Sequence, residues 1–177
     1  MLHYFSLIQF SYGTKKGFPM ELKTNGFSLT PEFIKKQPGI LDLSVLRVSL
    51  YGVNQESTLQ VNKNPKGYER VKENIKNFLK LQTKIKLGLN YVILHNNLED
   101  VLLLLDYIED VNSESNNQVD FLTLREDFSP EAEDLSVDER KKLLNIFRKI
   151  DKKLENKNLN KLHIDYGYAL ESIKQNR

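Results

Sequence analysis

Four stretches of the chain are rich in β-branched and aliphatic residues and are bounded by turn formers: Phe18 to Lys23, Val45 to Tyr51, Ile85 to Leu94 and Val119 to Leu124. Each reads as a strand. Between them the hydrophobic period lengthens from two to about 3.6 residues, most clearly where Tyr68, Val71, Ile75, Phe78 and Leu79 share one helix face with Lys and Glu on the other. Start signals place further helices. Thr30-Pro31-Glu32 offers an N-cap, a proline at the first helical position and an acid at the positive helix end. Asn97, followed by Glu99 and Asp100, opens a Leu-rich helix to about Asp110, and Ser136 with Glu139 forms a capping box ahead of Leu143, Phe147, Ile150 and Leu154. The polar run Asn112 to Gln118 and the acidic, proline-containing run Phe128 to Leu135 read as loops. A core-facing helix at Leu2 to Phe10, a short strand at Leu162 to Ile164 and a last helix from about Tyr166 complete the order.

Strands alternating with helices predict right-handed crossovers and a parallel sheet, hence an α/β fold. The strands begin at intervals comparable with the ~31 residues per unit of an eight-unit barrel of about 250 residues. A doubly wound sheet has the same local pattern, so element order alone leaves it open beside a partial (β/α) barrel. Strand faces add a second clue. Parallel strands covered on both sides read as continuous apolar runs, but here Arg47, Ser49 and Tyr51 share a face of the second strand, Lys86, Gly88 and Asn90 a face of the third, and Thr123 and Arg125 a face of the fourth. Helices need the apolar side, so the polar side is expected to front a lumen or cleft where polar groups converge on a ligand. The competing structural reading pairs Arg47 and Arg125 with Glu21, Glu126 or Asp127.

The chain has 177 residues, 40% hydrophobic and 28% charged, which predicts one folded domain or part of one. Twenty-six Lys and Arg against 24 Asp and Glu leave +2, too little for a nucleic-acid field. No run approaches the roughly 20 apolar residues of a membrane span, and a cytoplasmic location is expected. There is no cysteine, so disulfides, zinc thiolates, cysteine nucleophiles and iron–sulfur ligation by these residues are excluded. His3, His95 and His163 fall in no metal-binding spacing, no phosphate loop or serine-hydrolase elbow is present, and the adjacent carboxylates Glu126 and Asp127 read as a solvated loop.

Five stretches carry a family resemblance: Lys-Thr-Asn-Gly at 23 to 26, Leu-Arg-Val-Ser-Leu-Tyr-Gly at 46 to 52, Gly-Tyr-Glu-Arg-Val-Lys-Glu-Asn-Ile at 67 to 75, Leu-Gly-Leu-Asn-Tyr-Val-Ile at 87 to 93, and Val-Asp-Phe-Leu-Thr-Leu-Arg at 119 to 125. In order and spacing, over about residues 10 to 126, they resemble the third to sixth strands of the partial barrel of the radical S-adenosylmethionine superfamily. Residues 124 to 127 and 163 to 170 further resemble its branch that deaminates nucleotide-linked amino-deoxysugars. The resemblance implies S-adenosylmethionine as cofactor, with Ser49 and Asn90 at its ribose or methionine part and Arg125 at the adenine or substrate end. Arg47, Tyr51 and Thr123 would then face the substrate, a nucleotide-linked sugar, although Tyr51 stands where the family more often has an acid.

The family also uses a [4Fe-4S] cluster held by a Cys-x₃-Cys-x₂-Cys loop after the first strand, and here the departure is complete. The chain is expected to begin after that loop, with residues 1–127 forming the βα units and 128–177 a C-terminal helical extension with a short strand. Met1 is then an internal start or a fragment boundary, or the chain is a degenerate remnant. Such a domain, truncated on its N-terminal side, would be inactive alone and would expose a sheet edge that invites self-association. Two other readings stand beside it: a non-catalytic binding or scaffold module derived from that fold, and an unrelated α/β barrel enzyme acting on a sugar or phosphorylated substrate.

Overall fold

A computed structural model describes Gly13 and residues 16–127, 135–155, 159 and 161–167. The helix expected at Leu2 to Phe10, most of the loop at Phe128 to Leu135 and the body of the last helix lie outside the described residues. Five strands, β1 (Glu21–Thr24), β2 (Val45–Leu50), β3 (Lys86–Ile93), β4 (Phe121–Glu126) and β5 (His163–Asp165), form one sheet in the order β1-β2-β3-β4-β5. Every pairing is parallel. The crossovers contain α1 (Pro31–Lys36), α2 (Gln55–Asn62), α3 (Gly67–Leu79), α4 (Asp100–Asn112) and α5 (Val137–Glu155).

This order decides between the two architectures. A doubly wound sheet reverses direction at a switch point and carries helices on both faces. Here the order never reverses, so right-handed crossovers put all the helices on one face, as in a barrel wall. Burial agrees. Leu46, Val48 and Leu50 of β2 and Leu87, Leu89, Tyr91 and Ile93 of β3 are buried under Ile75 and Phe78 of α3 and Leu104, Leu105 and Ile108 of α4, whereas the alternate positions of β2 are half-exposed. Among the described residues β1 and β5 are the sheet edges.

Strand starts shift for chemical reasons. β1 begins at Glu21 and not Phe18, since Phe18 is exposed, Pro19 has no N–H to give a ladder, and the carbonyl of Met20 is the first to accept, from Ser44 and Val45. β4 begins at Phe121 and not Val119, because Asp120 uses its carboxylate Oδ2 to accept from the Leu87 N–H at 2.8 Å. Its end also moves, so that Glu126, expected in a solvated loop, closes β4 as a buried residue on the helix-facing side.

The caps divide similarly. Thr30 accepts from Phe33 N at 3.2 Å, and Ser136 and Glu139 form the reciprocal box. Asn97 is not a cap. Its side chain accepts from Leu94 N and donates to Val92 O, tying off the end of β3, and α4 starts at Asp100 without a side-chain cap. Helix α2 and a 3₁₀ turn at Pro38–Asp42 were not expected. In α2 only Thr58 is buried, so the stretch has no apolar stripe to reveal it; its signal is the Asn54–Ser57 capping box.

Candidate functional site

The bare face of the sheet is built in layers, because parallel register sets one residue of each strand beside the next. One layer contains Lys23, Arg47, Gly88, Phe121 and His163; the next toward the strand C-termini contains Ser49, Asn90, Thr123 and Asp165. Arg47, Ser49, Gly88, Asn90 and Thr123 are among the residues the sequence placed on the polar side.

The lower layer is closed by one arginine. Arg47 Nε donates to Glu21 Oε1 at 2.8 Å, Nη1 donates to Thr123 Oγ1 at 2.6 Å, and the guanidinium lies over the Phe121 ring at 4.7 Å. The side chain thus runs from β1 to β4. Gly88 makes this crossing possible, since a Cβ on Gly88 would collide with the Phe121 ring. Arg47 pairs with Glu21, as the structural reading of the sequence allowed.

In the upper layer Thr123 is 1% exposed, and the Oδ1 of half-buried Asn90 is buried with no hydrogen-bond partner among the described residues. A buried, unpaired amide oxygen costs stability unless a ligand or water meets it. Ser49 is the β2 neighbour of Asn90, and it opens onto a cleft of about 600 Å³ at the C-terminal ends of β1 and β2, lined also by Lys23, Thr24, Asn25, Phe27, Ser28 and Tyr51. Strand C-terminal ends are where barrel sites form. Arg125 lies one layer higher, beside Val92 and exposed, at the other side of the face from Tyr51. The expected residues therefore separate: Ser49, Asn90 and Thr123 adjoin, Arg47 lies beneath them, and Tyr51 and Arg125 stand on the rim.

The cleft wall is held by a helix. Gly26, at φ +74°, turns the chain after β1, and Asn74 of α3, buried, donates to Gly26 O at 2.8 Å and Phe27 O at 3.1 Å. Arg70 adds a bond to Phe27 O and stacks on the Phe27 ring. On the helix side of the strand ends, Arg140 Nη1 stands 3.4 Å from buried Glu126 Oε1, an ion pair too poorly aligned to be a hydrogen bond. His95 contacts Glu139 at 2.7 Å. The Ser136 hydroxyl first, then His95, pull the Glu139 carboxyl down to about 2. Tyr91 reaches Asp100 Oδ2 at 3.2 Å, and burial pushes its phenol well up. A second cavity, about 320 Å³, lies at the opposite strand ends between Thr83, Lys86, Asn116 and Lys161, away from the polar layers.

The donors present suit one implied group and not the other. Hydroxyl and amide groups at Ser49, Asn90 and Thr123, with an orphaned acceptor among them, fit a hydroxylated ligand such as S-adenosylmethionine. An iron–sulfur cluster finds no thiolate in the sequence, and among the described residues no three His, Asp or Glu converge on a metal position.

No family model matches the chain. A dTDP-4-amino-4,6-dideoxy-D-glucose ammonia-lyase from Streptomyces venezuelae is 33% identical over 170 residues, 93% of this chain and 35% of that enzyme. SuiB of Streptococcus suis bound to S-adenosylmethionine superposes with a TM-score of 0.72 at 11% identity, over 97% of this chain and 38% of that one. SuiB bound to its precursor peptide SuiA gives 0.70, over 99% and 38%. The chain thus spans little more than a third of the proteins it matches, and the likeness to SuiB establishes the fold alone. The sequence relative leaves the reading as an unrelated barrel enzyme without support. In sequence the chain is similar to an amino-deoxysugar ammonia-lyase of the radical S-adenosylmethionine superfamily over little more than a third of that enzyme, and in fold it has a parallel partial-barrel sheet like that of SuiB.

Proposed function

We propose that this chain forms the cofactor- and substrate-lining wall of a radical S-adenosylmethionine enzyme acting on a nucleotide-linked amino-deoxysugar. The observation that carries the reading is the upper polar layer, where Ser49, Asn90 and Thr123 adjoin and the Asn90 Oδ1 is buried without a partner among the described residues. Ser49 and Asn90 would hold the ribose or methionine part of S-adenosylmethionine, and Arg125 the adenine or substrate end. Tyr51 and Thr123 would meet the sugar. Given an electron from an iron–sulfur cluster, S-adenosylmethionine would supply a carbon radical able to abstract a hydrogen atom. The residues here do not fit that cluster, so its ligands must come from outside them, and the role of this chain is to bind, orient and shield from water.

The cysteine-free sequence favours a second reading, a non-catalytic module that binds the same ligand without chemistry. Both readings require ligand binding. Calorimetric titration with S-adenosylmethionine is expected to give saturable heat that is lost in Asn90→Ala at unchanged melting temperature. No heat at millimolar ligand removes both. Deamination of a dTDP-amino-deoxysugar after addition of a cluster-bearing polypeptide separates the enzyme from the module.

A further inference from the structure

The lower layer bears on the upper one through a single hydrogen bond. Arg47 is a poor candidate for direct ligand contact: its side chain is only 17% exposed, Nε is held by Glu21, Nη1 by Thr123, and its flat face lies on Phe121. Its bond to Thr123 has a consequence for that hydroxyl. An oxygen that accepts from a guanidinium turns its own proton away from the cation. Thr123 therefore presents a donor into the rest of its layer, and the β3 residue beside it, Asn90, presents an acceptor with no partner among the described residues. A buried donor and a buried acceptor on neighbouring strands match a group that both accepts and donates.

We propose that Arg47 is a positioning residue that fixes the Thr123 hydroxyl as a donor, and that Thr123 and Asn90 together seat one hydroxyl of a sugar. Resting on the function proposed above, this assigns Arg47 a task through Thr123 in place of a substrate contact. Two ligands carry such a hydroxyl: the ribose of an adenosyl cofactor and the hexose of a nucleotide-linked sugar. Lysine cannot replace Arg47, since a single ammonium lacks the planar fork that reaches Glu21 and Thr123 at once.

Binding of S-adenosylmethionine and, separately, of dTDP-glucose is measured by calorimetry for the unaltered chain, Thr123→Val, Arg47→Met, Arg47→Lys and the Arg47→Met/Thr123→Val pair, with melting temperatures for each. The ligand that uses the seat is expected to lose about tenfold in affinity with either single change. The double variant is expected to lose no more than Thr123→Val alone, because Arg47 acts only through that hydroxyl. Arg47→Lys is expected to fold and to behave as Arg47→Met. Additive losses, or wild-type affinity in Thr123→Val for both ligands, overturn the assignment while leaving the wider function standing. Binding of neither ligand by the unaltered chain overturns both.

Discussion

A side chain at position 88 would occupy the space in which the Phe121 ring lies, and that ring carries the Arg47 guanidinium. Gly88→Ala is therefore expected to cost about 1–3 kcal/mol, the usual penalty of overpacking. Urea unfolding checks the value, and adding Phe121→Ala is expected to recover part of it; a neutral Gly88→Ala would show that the ring does not need the glycine. Glu139 gives a second test at this scale. Its folded carboxyl lies at about 2 against an ordinary 4.5, so its contribution is present above the ordinary value and is lost as pH falls through about 2. A carboxyl ¹³C titration should show that low midpoint and its return toward 4.5 in Ser136→Ala. A midpoint already near 4.5 in the unaltered chain would refute the capping and His95 contacts. The capping box was readable beforehand as a local pattern of four residues, whereas the His95 contact was not, since it joins the loop after β3 to the first turn of α5.

Among the elements, α3 does more than cover the sheet. Through Asn74 it holds the turn after β1, and through Lys72, Lys76 and Lys80 it is laced to Asp110 at the end of α4 and to Glu114 just beyond it, at 2.6–3.3 Å. These pairs are half-exposed and worth little singly, but Asn74 is buried. Asn74→Ala is expected to destabilise by about 1–3 kcal/mol, leaving the Gly26 carbonyl without that donor. It should also speed hydrogen exchange at the Leu29 amide, which donates to Gly26 O at 3.2 Å. Unchanged exchange there would mean that the turn holds itself. The strands, α1 and α3 to α5 were legible because each has an apolar face or a cap at fixed spacing. Helix α2 was not, having almost nothing to bury, and the Asn97 start signal misled because the asparagine serves the preceding strand.

For the whole molecule, alternation along β2, β3 and β4 revealed that one face is polar, while the unreversed strand order shows why: all crossovers lie on the other side. Ser49, Asn90 and Thr123 could be named from the sequence, yet their adjacency depends on register, and the reach of Arg47 across two strands depends on a glycine that has no signal of its own. The claim that unites these observations is that the bare face is a ligand wall whose centre is Asn90. Chemical-shift mapping of the ¹⁵N-labelled chain during titration with S-adenosylmethionine tests it most directly. Saturable shifts are expected at the Asn90 side-chain amide and the Ser49 and Thr123 backbone, with the helix-face residues of α3 and α4 unmoved. Shifts confined to the helices, or none at millimolar ligand, would contradict it.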